Sequence, residues 1–435
     1  MSLLSVSCFL AILLPWIPGG VGSPFFPSPQ HSSQQGVGRA VYLITNDEKA
    51  NAVIALPIGA DGKLCPGTAT LTGGTGSVAL DSDEQPATPD ALVSQSALTI
   101  AGNVSEPSLA SPTIFAVNTG SNTLSMLSIS AADPTKLSLA GKPVPVPGEF
   151  PTTVAASAKH HIVCVGTTGA KAGIACSRFT TCGGLSPMDA LRPFDLGQTT
   201  PPVGPTNTVS QVFFSADESM LFATVKGDPA SNNTGFFSAF SVQRANAPRH
   251  HHSSSSSRGP MSAVSRIEQR SFPNNTAVLF GSQPIPGSPT NHHVFATDAS
   301  FGAAILSVDP ATGRASTIAT GEIAGQKATC WATISPATGT AFVTDVAVNR
   351  LVEMDVRDAR VLSQLDLSAA GSPDPGLIDL RAAGGFIYAL SPGNGTTEAA
   401  VSVVSVGGGS AKMVQRFGLG SMGVGRNAMG MAVLI

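Results

Sequence analysis

Residues 206–242 read TNTVSQVFFSADESMLFATVKGDPASNNTGFFSAFSV, and this stretch decides the fold. Val212-Phe213-Phe214 is a short apolar run, Ala216 to Ser219 is polar turn chemistry, and Met220 to Val225 is a second apolar run. Gly227-Asp228-Pro229 breaks that run before a third, Gly235 to Val242. Val, Phe and Thr suit a pleated, half-buried surface, while Gly, Pro, Asn and Asp supply the backbone angles of turns. Three or four such strands joined by hairpins make one antiparallel blade.

The same grammar returns outward from this unit. It occurs before it at Ala40–Ile58, Thr113–Ser130 and His161–Phe179, and after it at His293–Asp309, Thr340–Val356 and Gly385–Val406, seven units in all. Repeats of roughly 40–50 residues with four strands each belong to propellers, whose blades must stack around an axis to bury both faces. The expectation is an all-β, seven-bladed propeller over residues 39–435. The last apolar run, Ala428 to Ile435, is expected to join the N-terminal blade and close the ring, which removes the free edge between first and last blades.

Leu3 to Trp16 is almost wholly apolar and is followed by Pro15, Pro18, Gly19 and Gly20, with small residues at Val21-Gly22-Ser23. It is shorter than the roughly 20 residues a bilayer span needs and sits where a secretory leader would, so residues 1–22 are read as a signal peptide. No Lys or Arg precedes Arg39, which departs from the usual leader pattern. Only 12% of residues are charged and the formal net charge is −3, which excludes a nucleic-acid-binding surface and a chain disordered by charge. Sequons at Asn103, Asn232, Asn274 and Asn394 fall in expected turns and, with the leader, imply a secreted glycoprotein. Residues 244–271, with His250-His251-His252 and a serine run, read as a disordered surface insertion rather than a blade.

Without the leader's Cys8, five cysteines remain: Cys65, Cys164, Cys176, Cys182 and Cys330. Cys164 and Cys176 stand on successive strands of one expected hairpin and are the preferred disulfide, with Cys182 able to take either partner. No Cys/His cluster has zinc-ligand spacing, and no metal or cofactor is expected. The nucleophile elbow, the zincin helix, the P-loop and the dinucleotide fingerprint are all missing, and the Gly-rich run Gly418 to Gly425 has no helix after it to hold a phosphate.

The central unit, with RPFDLGQTTPPVGPTNTVSQ (residues 192–211) before it, resembles the secreted fungal proteins labelled 3-carboxymuconate cyclase-like. These are similar in turn to the seven-bladed lactonase and carboxymuconate-lactonising propellers. The resemblance runs from about Arg39 to the C-terminus and implies a seven-bladed propeller, with extracellular or cell-wall glycoproteins and antigens among the secreted relatives. In the enzymatic relatives a P-H-x-H stretch opens one inner strand, and an Arg-His pair precedes a later one. Here Thr152 and Val154 replace both histidines, Ser210 and Gln211 replace the Arg-His pair, and Asp228 alone is left for the acid. Lactone chemistry needs a group that moves a proton and a cation for the carboxylates, and Ser and Gln supply neither unaided.

The candidate catalytic residues are therefore Arg192, Asp228 and Gln211. Candidate substrate contacts are Gln198 and the strand-end residues Asn118, Asp298, Asp345 and Arg381, for which turn capping is the competing reading. Two functions follow: a non-catalytic extracellular or cell-wall propeller that binds a protein or glycan, and a lactonase or carboxymuconate cycloisomerase with a rearranged axial site. The second also implies a small carboxylate or lactone ligand. No nucleic-acid partner and no membrane span after leader removal are expected, and the chain is read as a monomer.

Overall fold

The computed structural model describes residues 39–102, 112–244, 262–288 and 292–435. They form seven antiparallel sheets of four main strands, the blades of a β-propeller. Each of the seven apolar hairpins read from the sequence supplies the second and third strands of one blade. In blade 4 these are Met220–Val225 and Phe236–Arg244, paired through Phe222↔Ala239 and Thr224↔Phe237. Their neighbours are the inner strand Val209–Phe214 and the outer strand Ser262–Val264, with Gln269–Ser271 alongside.

Those two outer pieces come from the second half of the stretch expected as an insertion. Val264 and Ser271 point inward and are buried, so the short runs around them pair with the blade despite their polar surroundings. His250 to His252 and the serine run lie outside the described residues.

The inner strands are Leu98–Ala101, Pro151–Ser157, Val209–Phe214, Leu279–Pro284, Thr329–Ile334, Ile378–Ala383 and Met429–Leu434, each packed against the next around the axis. The ring closes as expected, because Met429–Leu434 is the inner strand of the blade that begins with Ala40–Ile44, in the register Val41↔Val433 and Tyr42↔Ala432. First and second strands are buried on both faces, since each blade is covered by two neighbours; outer strands such as Thr68–Leu71 and Val361–Asp366 are mostly exposed. Between blades 4 and 5, Phe213, Phe222 and Phe237 pack edge to face or tilted, with ring centroids 5.1–6.3 Å apart.

Cys164 and Cys176 are directly opposed across their hairpin and form the disulfide. Cys65 and Cys182 are exposed and free, and Cys330 is buried. Among the described residues no helix is long and apolar enough to cross a membrane, and no cluster of His, Cys, Asp or Glu has metal-site geometry.

Ending the chain at Ala428 removes the closing strand and bares the edge of Ala40–Ile44. The expected result is loss of a single cooperative urea transition, with exposed apolar surface detected by dye binding. A sharp, wild-type-like transition would show that the ring does not depend on this strand.

Candidate functional site

The axis is not an open channel. Residues 90–97, DALVSQSA, leave the first blade at the end where inner strands begin, and Ala91 to Ala97 are buried along the axis as a plug. Ser94 Oγ donates to the Thr152 carbonyl at 2.9 Å, and the Ser96 carbonyl accepts from Val154 N at 2.8 Å. Gln95 N donates to the Ser210 carbonyl at 2.9 Å, and its side-chain amide makes a two-way bond with the Ala332 backbone at 2.9 and 3.1 Å. Trp331 Nε1 donates to the Ser94 carbonyl at 3.1 Å. Val93 (φ 47°) and Ser96 (φ 68°) are both in the left-handed region, which is costly for a β-branched residue and persists only where surrounding bonds hold it.

Beneath the plug lies a buried cation. Lys226, at the end of the second strand of blade 4, donates from Nζ to the Val93 carbonyl at 2.6 Å and to Ser210 Oγ at 3.3 Å, with the Phe280 ring centroid 4.3 Å away. Burial pushes its ammonium well below the usual lysine range, opposed by the charge of Asp90 on the plug. Asp90 is itself pushed up by burial, with Lys226 opposing. The residue keeps some exposure, but Oδ1 is enclosed and has no hydrogen-bond partner. The Cys330 thiol beside them is also driven up by burial, which makes it a poor nucleophile.

At the opposite mouth, where inner strands end, the plug is the floor of a blind cavity of about 370 Å³. Arg381 reaches it from blade 7, donating from Nη1 to Asp379 Oδ1 at 2.9 Å and from Nη2 to Ser96 Oγ at 2.8 Å. Gln211 Nε2, from blade 4, donates to the same Ser96 Oγ at 3.3 Å. Asp379 is fully buried, has φ 38°, and accepts at Oδ2 from the amides of Ser96 and Met431, both at 3.1 Å. Burial pushes its carboxyl above the usual carboxylate range, while Arg381 and these amides oppose the shift.

Of the residues expected at a site, Gln211 and Arg381 are brought together in this cavity. Arg192 is not: it is buried on the outer edge of blade 3, paired with Asp189 at 2.7 Å and donating to the carbonyls of Val264 and Ser265 at 2.7 Å. It staples blade 3 to the outer strand of blade 4. Asp228 caps the short helical turn Pro229–Ser231 by accepting from Ala230 N at 3.2 Å, at the plugged end. Gln198 holds its own loop, bonding the backbone of Val203 and Thr206.

Asn118, Asp298 and Asp345 are strand-end caps. Asp298 accepts from Ala277 and Val278, Asp345 from Lys327 and Ala328, and Asn118 is bound by Asn51, Thr72, Thr123 and Ser125. The sequon residues Asn232, Asn274 and Asn394 are exposed, each in a connection on the plugged face; Asn103 lies outside the described residues. Sequence reasoning missed Ser96, Asp379 and the plug itself, whose run DALVSQSA carries no motif.

Fold and site together define a seven-bladed propeller whose axis is filled by its own chain. Solved structures with this fold include the periplasmic gluconolactonase of Pseudomonas aeruginosa, 14% identical with a TM-score of 0.60 over 91% of this chain and 99% of that one. A putative 6-phosphogluconolactonase from Bacteroides fragilis is 10% identical with a TM-score of 0.56, over 94% and 100%. A hypothetical selenium-binding protein from Sulfolobus tokodaii gives 9% and 0.56, over 94% and 96%. At these identities the likeness is one of fold, and a fold shared by such different proteins does not carry an activity. The sequence matches no protein-family model and no curated protein.

Because burial lowers Lys226, the folded protein releases this proton before the unfolded chain does. Its contribution to stability therefore rises as pH climbs from that lowered value toward the ordinary lysine value of about 10.4. Urea melts across this alkaline window are expected to show wild type gaining stability relative to Lys226→Met. Parallel curves for the two proteins would mean that Lys226 titrates as a solvated amine.

Proposed function

We propose that this chain is an extracellular glycoprotein that acts by binding, a propeller of lactonase-like fold without lactone chemistry. The observation that carries the reading is the plug. Thr152, Val154, Ser210 and Gln211, the positions where the resemblance to lactonising enzymes implies catalytic groups, each bond to residues 93–96 or to the lysine that holds them. A substrate reaching Thr152 and Ser210 would have to displace the protein's own chain.

The cavity beyond the plug has a cation but no group placed to move a proton. Arg381 stands beside Asp379, yet both oxygens of that carboxylate are taken by backbone amides and the guanidinium. The carboxylate of Glu218, also in the wall, accepts the Ser157 hydroxyl. General acid–base work needs a titrating group within hydrogen-bond reach of the ligand, and the one carboxylate of the wall has an oxygen committed to Ser157. The apolar leader, the sparse charge and the three exposed sequons support the extracellular side of the reading.

The test is turnover by secreted, folded protein on 3-carboxymuconate and on glucono-1,5-lactone, beside an Arg381→Ala variant. No rate above the uncatalysed reaction is expected from either, and glycopeptides are expected at Asn232, Asn274 and Asn394. Turnover by wild type that disappears in the variant would establish the competing lactonase reading, with a rearranged site around Arg381.

A further inference from the structure

The wall of the blind cavity has a consistent polarity. The Gln211 side-chain carbonyl accepts from Ser282 N at 2.6 Å, and that of Gln283 accepts from Ile334 N at 2.8 Å. Thr333 Oγ1 accepts from Ala382 N at 3.3 Å. Each side chain thus turns its acceptor to the backbone of the next blade. The backbone N–H fixes which way each amide points, because a flipped amide would set two donors against one another. The –NH₂ groups and the Thr333 hydroxyl proton remain for the cavity.

Ser96 Oγ already accepts from Arg381 and Gln211, and its own proton has no partner among the described residues. It is 4% exposed, so this donor is held in place by packing. Arg381 Nε is likewise uncommitted, since its bonds to Asp379, Leu380 and Ser96 all run from Nη1 and Nη2. Donors from the plug and from blades 4, 5, 6 and 7 therefore line one small space, and the single carboxylate in its wall, Glu218, is occupied by Ser157.

We infer that this cavity is a binding site for a small monocarboxylate, whose two oxygens accept from Arg381, Ser96 and the Gln211 and Gln283 amides. The amides, hydroxyls and guanidinium gathered around Ser96 turn donors inward and so select an acceptor-only group, and a planar carboxylate matches the guanidinium edge. The charge count ranks a monoanion above a polyanion. Arg381 is the only cation among the lining residues, and its charge is already shared with Asp379. A dianion or trianion would leave uncompensated negative charge in a half-enclosed site that also carries Glu218. The inference deepens the binding reading given above, but it stands on equilibrium binding. A lactonase activity would sink the non-catalytic reading without touching it.

The experiment is calorimetric titration of the full secreted protein with D-gluconate and benzoate as monocarboxylates, and with citrate and inorganic phosphate as polyanions. Saturable binding of at least one monocarboxylate is expected, with citrate and phosphate at least tenfold weaker. Gln283→Glu keeps the oxygen that accepts from Ile334 and replaces a cavity donor with negative charge, so binding should fall at least tenfold while the thermal melt is unchanged. Ser96→Ala should weaken binding severalfold without disturbing the Arg381–Asp379 pair. The inference is overturned if neither monocarboxylate binds, if a polyanion binds as tightly, or if Gln283→Glu binds like wild type.

Discussion

One buried carboxylate ties together three parts of this molecule that lie far apart in sequence. Asp379 receives the amide of Ser96 from the plug, the amide of Met431 from the closing strand and the guanidinium of Arg381 from the cavity wall. Burying a carboxylate costs several kcal/mol unless such donors surround it, so each of the three is held in place by the need to satisfy the same charge. Ring closure, axial plugging and cavity geometry are therefore coupled through a single side chain. The left-handed backbone at Asp379 and Ser96 is the local cost of bringing these groups to one point.

The plug also changes what the shared fold can do. In a propeller the axis is where polar ends of inner strands converge, and an empty axis invites solvent and ligand. Here the chain fills it with small and amide side chains, and the Lys226 ammonium is turned to a backbone carbonyl and an aromatic face rather than to a ligand. Lys226 is thus a structural fastener in this chain. The remaining axial space is small, one-sided and lined in part by amides held by the backbone of the next blade.

The fold was legible because second and third strands of a blade are short, apolar and bounded by turn residues, and all seven such hairpins were visible. The disulfide followed from hairpin register alone. The outer strands were harder to read: Ser262–Val264 and Gln269–Ser271 are too short and polar to stand out from the His- and Ser-rich run before them. The site was half legible. Gln211 and Arg381 were picked out, whereas Arg192 was drawn in by charge and belongs to a blade-edge ion pair. Ser96 and Asp379 gain their meaning only from contacts across |i−j| of 283 and 285, which no local pattern encodes.

The positions of Asn232, Asn274 and Asn394 have a consequence for how the molecule meets its surroundings. All three stand on the plugged face, away from the cavity mouth. Sugar chains there would coat the sealed end of the axis with a thick hydrated brush. A chain so decorated would be a directional object, with its sugars on the sealed end and its bare cavity mouth facing the other way.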